Sequence, residues 1–115
     1  MTVTIYHNPN CSTSRSVLAL LRERGIEPVV VQYLKTPLDR GALKTLVATM
    51  GVPARDLVRW KEKEAVSAAG VTPEMTEGAL LEAMARFPVL MNRPIVATGK
   101  GARLCRPPET VSEIL

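Results

Sequence analysis

The chain has 115 residues, 46% of them hydrophobic and 23% charged, which is the size and balance of one globular domain. No apolar run approaches the roughly 18 residues that span a bilayer, so a membrane-spanning protein is excluded, and MTVTIYHNPN lacks the basic start and apolar stretch of a secretory leader, so a cytoplasmic location is expected. The net charge of +4 favours an anionic partner without naming it, and an aromatic content of 3% argues against a base-stacking nucleic-acid binder.

Val3 to Tyr6 alternates and is β-prone, which predicts a short strand, and His7-Asn8-Pro9 is a turn signal. From Ser12 the spacing becomes helical, with Val17, Leu18, Leu20 and Leu21 on one face, Ser12 or Thr13 as N-cap and Gly25 as the stop. Pro28 to Tyr33 predicts a second strand, apolar enough for the centre of a sheet. Strand, helix and strand on short loops form a βαβ unit with parallel strands.

Leu43, Leu46, Val47 and Met50 then fall on one helical face between Asp39 and Gly51. Pro53 opens a shorter helix through Val58, residues 61–69 read as a surface helix, and Thr72-Pro73 or Thr76 opens another with Leu80, Ala83, Met84 and Phe87 on one face. Gly78 weakens that last helix by about 1 kcal/mol. Beyond this helical block at about 39–87, residues 95–98 predict a strand, Gly99-Lys100-Gly101 a hairpin turn, 102–105 a return strand and 109–115 a short helix. The order predicts a four-stranded mixed sheet flanked by helices, with the block as a helical insertion.

Cys11 stands where the first strand passes into the first helix. A helix N-terminus carries about half a positive charge and exposed N–H groups, which stabilise a thiolate and cradle an oxyanion. Its neighbours Asn8, Asn10, Ser12, Thr13, Ser14 and Arg15 are polar, a poor setting for a packed apolar thiol. Ser14 stands where a resolving cysteine would stand in a C-x-x-C motif, so Cys11 closes no local disulfide and any redox partner must come from elsewhere. Cys105 reads as a small apolar residue facing inward from a strand.

HNPNCSTSR at 7–15, DLVR at 56–59 and MNRPIVATGKGARLCRP at 91–107 together resemble the glutaredoxin-coupled arsenate reductases, over nearly the whole chain. The resemblance implies a single domain over 1–115 with a thioredoxin-like sheet and a large helical insertion. It implies that Cys11 attacks arsenate, that glutathione attacks the adduct, and that glutaredoxin resolves the mixed disulfide. Arg59, Arg93 and Arg106 match the three arginines that hold the oxyanion, His7 a histidine that assists the cysteine, and Pro94 the cis-proline opposite it. No metal and no bound cofactor are implied, glutathione being a co-substrate.

Arginine suits this work on its own chemistry, because its planar fork stays charged and matches tetrahedral oxygens. Residue by residue, blander roles stay open. Arg59 and Arg93 fit solvated surface heads, Arg106 a strand flank, and His7 a satisfied polar turn residue. Arg15 is either a helix-face charge or a fourth anion contact, and Ser14 bonds either the thiolate or a helix amide. Asn10 and the run Trp60-Lys61-Glu62-Lys63 depart from the family's usual residues. Two other functions remain: a glutathione-dependent thiol oxidoreductase of another substrate, and a redox-responsive RNA polymerase-binding regulator of the same fold. The regulators usually carry two cysteines at the loop, where this chain has Cys11 and Ser14. Nucleic-acid and membrane partners are not expected.

Overall fold

The computed structural model describes residues 2–115. The described chain forms two compact units, one from residues 2–36 together with 93–115 and the other from residues 37–92. The insertion expected between the second and third strands is thus a unit in its own right.

The first unit is built on a four-stranded sheet. Its elements are β1 (Thr4–Tyr6), α1 (Ser12–Glu23), β2 (Val29–Val31), β3 (Ile95–Thr98) and β4 (Gly101–Leu104), followed by a 3-10 segment, Pro108–Ile114. The strand order is β2-β1-β3-β4. β1 runs parallel to β2, with Ile5 opposite Val30, and antiparallel to β3, with Ile5 opposite Val96. The parallel pair confirms the βαβ reading. β2 is an edge strand and not a central one, however, and Val29 is 54% exposed. Three consecutive valines report β-propensity, but they do not report whether both faces are covered.

The core of this unit gathers Val3, Ile5, Val17, Leu21, Val96, Cys105, Val111 and Ile114, with Leu18 and Leu20 packed at its margin. Val17 and Leu21 lie four apart on α1, one turn on the same face. α1 ends through Gly25, whose φ of 75° is the left-handed value that residues with a Cβ avoid. The hairpin turn is Gly99-Lys100, so the return strand begins one residue earlier than its apolar pattern suggests. The terminal segment is a 3-10 helix that begins at Pro108, with Pro107 as its N-cap, positions where a missing amide donor costs no intrahelical bond.

The second unit is helical, with α2 (Arg40–Met50), α3 (Lys63–Ala69), α4 (Glu77–Arg86) and 3-10 turns at Ala54–Asp56 and Pro88–Leu90. α2 is bounded as its sequence predicts: Asp39 Oδ1 accepts from the Ala42 amide at 2.8 Å, and Gly51 closes the helix at φ 71°. Thr76, rather than Thr72, caps α4 by accepting from the Ala79 amide at 3.2 Å. α2 packs on α4, burying Leu43, Leu46, Val47, Leu80, Leu81 and Met84. A Cβ at Gly78 would sit 2.7 Å from Arg40 Nη2, so this helix-weakening residue makes room for a guanidinium. Among the described residues no helix is long and apolar enough to cross a membrane.

Candidate active site

The loop after β1 turns tightly before α1 begins. Asn8 Oδ1 accepts from the Asn10 amide at 2.9 Å, and the Cys11 amide donates to the Asn8 carbonyl at 3.0 Å. These short-range bonds deliver Cys11 as the N-cap, in extended conformation (φ −98°, ψ 122°). Ser12 and Thr13, the residues expected there, already lie within the helix. Ser12 is therefore the first helical residue, and a cysteine occupies the place usually held by an oxygen-bearing side chain.

The sulfur is half-buried and carries no disulfide. Partial burial disfavours its anion. The Ser14 amide, the Arg106 and Arg93 side chains and the Thr13 amide work in the opposite direction and prevail, holding the thiol below its ordinary value. Arg106 Nη1 lies 3.7 Å from Cys11 Sγ and donates at 2.9 Å to the Arg93 carbonyl. One guanidinium thus ties the backbone at Arg93 to the sulfur. The Arg93 side chain is buried, which is uncommon for an arginine and unlike the solvated head its sequence context allows. The Arg93–Pro94 peptide is cis, as the resemblance implies for Pro94.

His7 and Ser14 are buried and joined to each other, with His7 Nδ1 2.6 Å from Ser14 Oγ. Burial lowers the imidazole pKa, and the positive charges of Arg22 and Arg15 add to this. The ring is therefore neutral near pH 7, and one hydrogen bond joins Nδ1 to the Ser14 hydroxyl. Ser14 Oγ also accepts from the Asn8 amide at 3.1 Å. The Ser14 hydroxyl thus serves the loop backbone and the imidazole. It is the Ser14 amide, not the hydroxyl, that favours the thiolate.

Arg15 is exposed, and its Nη1 donates to the Pro9 carbonyl at 2.9 Å, closing the loop onto the helix. Arg59 belongs to the second unit. There its Nε meets Glu62 Oε1 at 3.2 Å and its Nη1 donates to Asn92 Oδ1 at 3.2 Å. The first unit therefore gathers Cys11, Arg93 and Arg106, while His7 and Ser14 stand behind the loop. Asn8 was not singled out as a site residue, although its carbonyl, amide and side chain all shape this turn. The only sequence signal for it was its place in a polar turn.

Cys105 is fully buried, and its thiol contacts the Arg103 carbonyl at 3.5 Å. Burial pushes it up to about 12, which matches the inert apolar role expected of it. No cluster of three or more histidine, cysteine or acidic side chains that could hold a metal occurs among the described residues.

A model of the ArsC family matches residues 6–114. An arsenate reductase of Rhizobium meliloti is 47% identical over 115 residues, spanning 100% of this chain and 82% of that protein. The uncharacterized protein YfgD of Escherichia coli is 47% identical over 114 residues, spanning 98% of this chain and 96% of that protein. The solved structure of an arsenate reductase from Vibrio cholerae aligns with a TM-score of 0.93 at 44% identity, covering 100% of this chain and 98% of that one.

Proposed function

Since the chain belongs to the ArsC family, we propose that it is an arsenate reductase in which Cys11 is the nucleophile and glutathione and glutaredoxin supply the electrons. The observation that carries this reading is the Cys11 sulfur at a helix N-terminus, 3.7 Å from Arg106 Nη1 and favoured as the thiolate.

In the first step the Cys11 thiolate attacks the arsenic(V) centre. An S–As bond forms, an As–O bond breaks, and the oxygen leaves as water after taking up protons. Arg93 and Arg106 neutralise the oxyanion and stabilise the charge that gathers on its oxygens. The amides at the head of α1 contribute further partial positive charge. Arg59 is assigned to the same oxyanion on the resemblance alone.

The glutathione thiolate then attacks Cys11 Sγ. The S–As bond breaks and its electron pair leaves with arsenic, which departs as arsenite. Arsenic is reduced by two electrons, while two thiols are oxidised to one mixed disulfide. A glutaredoxin thiolate attacks the glutathione sulfur of that disulfide and releases Cys11 as the thiolate. Ser14 at the loop supports this cycle, as does His7, which acts through Ser14 and holds the backbone that faces the sulfur. Pro94 positions the strand that follows Arg93. Such a cycle needs a reducing compartment, which accords with a cytoplasmic setting.

The test is arsenite formation by purified protein with glutathione and glutaredoxin. Wild type yields arsenite, and Cys11→Ser lowers the rate to background. If wild type yields none while still exchanging disulfides with glutathione, the protein is a thiol oxidoreductase of another substrate.

A further inference from the structure

Arg59, Glu62 and Asn92 meet within the second unit. The segments 57–59 and 90–92 approach each other through an isolated antiparallel bridge, with Val58 opposite Met91. Two backbone bonds flank that bridge: the Arg59 amide donates to the Leu90 carbonyl at 2.7 Å, and the Asn92 amide donates to the Leu57 carbonyl at 2.8 Å. Leu57, Val58, Leu90 and Met91 are all buried, which anchors both segments. This register makes Arg59 and Asn92 diagonal neighbours across the bridge, a separation that a long side chain can span. Arg59 Nη1 accordingly donates to Asn92 Oδ1 at 3.2 Å. Beyond Arg59 the chain turns at once. The Glu62 amide donates to the Arg59 carbonyl at 3.0 Å, and the turn brings Glu62 Oε1 to 3.2 Å from Arg59 Nε. Glu62 belongs to the run 60–63 that departs from the family's usual residues.

We propose that Asn92, together with Glu62, is a positioning residue for Arg59, the two acceptors fixing the guanidinium plane through Nη1 and Nε so that Nη2 faces the oxyanion. The proposal rests on the reading of Arg59 as an oxyanion ligand. A guanidinium held at one nitrogen can still swing about that contact, whereas one held at two cannot. Nη2, with its two N–H groups, is the nitrogen that these acceptors leave to an anion. A side chain ordered in advance has less rotamer freedom to lose when the anion arrives, and the saving appears as affinity.

The two acceptors differ in charge. The Asn92 amide oxygen takes a hydrogen bond without cancelling the positive charge that the anion requires. Glu62 is a carboxylate, but its side chain is 36% exposed and water screens it, so it repels the anion only weakly. A purely structural purpose for the Arg59–Asn92 bond is the alternative. The two segments are already joined by two backbone bonds and four buried side chains, so a further bond between side chains is surplus to holding them together.

The test is a double-mutant cycle on arsenate affinity. Arsenate is titrated into the ¹⁵N-labelled full chain carrying Cys11→Ser, which cannot form the S–As bond. Asn92→Ala should weaken arsenate binding about fivefold. In an Arg59→Ala background the same substitution should weaken it no further, because its effect passes through Arg59. Asn92→Leu keeps the bulk of the side chain without an acceptor; it should match Asn92→Ala, and it replaces that variant if the alanine protein does not fold. The Arg59 Nε–H signal should be resolved and slow to exchange before either substitution, and Asn92→Ala should move it towards the signals of exposed arginines. Additive effects in the cycle, unaltered affinity in both Asn92 variants, or an Arg59 signal already like those of exposed arginines would overturn the positioning role. Unaltered affinity in Arg59→Ala would refute Arg59 as an oxyanion ligand, and the role of Asn92 would fall with it. Arsenate binding that obeys the cycle in a protein whose wild type makes no arsenite would refute the reductase reading and leave the positioning role standing.

Discussion

Cys11 caps a helix beside a guanidinium, with two backbone amides favouring its anion. Cys105, in the same unit, is closed in with Val3, Ile5, Val17, Leu21, Val96, Val111 and Ile114. The residue type is the same and the outcome is opposite. One thiol is drawn below its ordinary value of 9.0 and the other pushed up to about 12. Burial acts on both in the same direction. At Cys11 it is outweighed by directed donors, whereas at Cys105 Glu113 adds to it and the opposing contributions from the Val96 backbone and Arg103 fall short. Reactivity here is a property of the surroundings, and the contrast can be broken by altering either set.

The largest effect is expected from removing the charge at Cys11. Arg106→Ala should lower kcat/KM for arsenate by about 100-fold, since it deletes both an oxyanion donor and a stabiliser of the thiolate. The midpoint of Cys11 alkylation against pH should move upward, with a smaller upward shift for Arg93→Ala. An unchanged midpoint in both variants would show that the helix amides alone tune the sulfur.

A smaller effect is expected from making the interior polar. Cys105→Ser places a hydroxyl in the apolar core and should destabilise the fold by about 1–3 kcal/mol in urea unfolding, with arsenite formation intact in the protein that remains folded. Loss of activity without loss of stability would give Cys105 a chemical role and end the contrast.

The smallest effect lies in how stability varies with pH. The folded state keeps the Cys105 proton after the unfolded chain has released it. Its stabilising contribution is therefore full below pH 9.0 and is lost between there and about 12. Cys11 behaves oppositely. Its lowered value contributes stability above pH 9.0 that is lost as pH falls through the folded-state value. The urea midpoint of Cys105→Ala should consequently decline less at alkaline pH than that of wild type, and Cys11→Ser should forgo the gain that wild type shows as pH rises towards 9.0. Parallel curves for all three proteins would mean that the two thiols do not differ in the folded state.

Local chemistry was the part of this molecule most open to reading from sequence. Asp39, Gly51 and Gly25 mark helix ends because capping depends on residues within one turn of each other. Cys11 at the strand-to-helix passage was legible for the same reason. The exposure of Val29 was not, because an edge strand and a central strand can have the same apolar composition. Nor was the use of the Ser14 hydroxyl, which depends on the loop folding back to bring the Asn8 amide and His7 within reach. The meeting of Arg106 with Cys11 spans 95 residues of chain, and no periodicity carries that information. Only the resemblance pointed to Arg93 and Arg106 among the 15 basic residues.

The sheet-bearing unit is assembled from the two ends of the chain, with all of residues 37–92 made in between. During synthesis the nucleophile therefore emerges long before the arginines that tune it, and β1 waits for β3 and β4 to complete its sheet. Until Arg93 and Arg106 have been added, the growing chain carries Cys11 without the two guanidinium groups that favour its anion, so the tuning of this thiol is completed only after residue 106. A chain stopped before residue 106 would lack the Arg106 contribution to the Cys11 anion while keeping those of the helix amides.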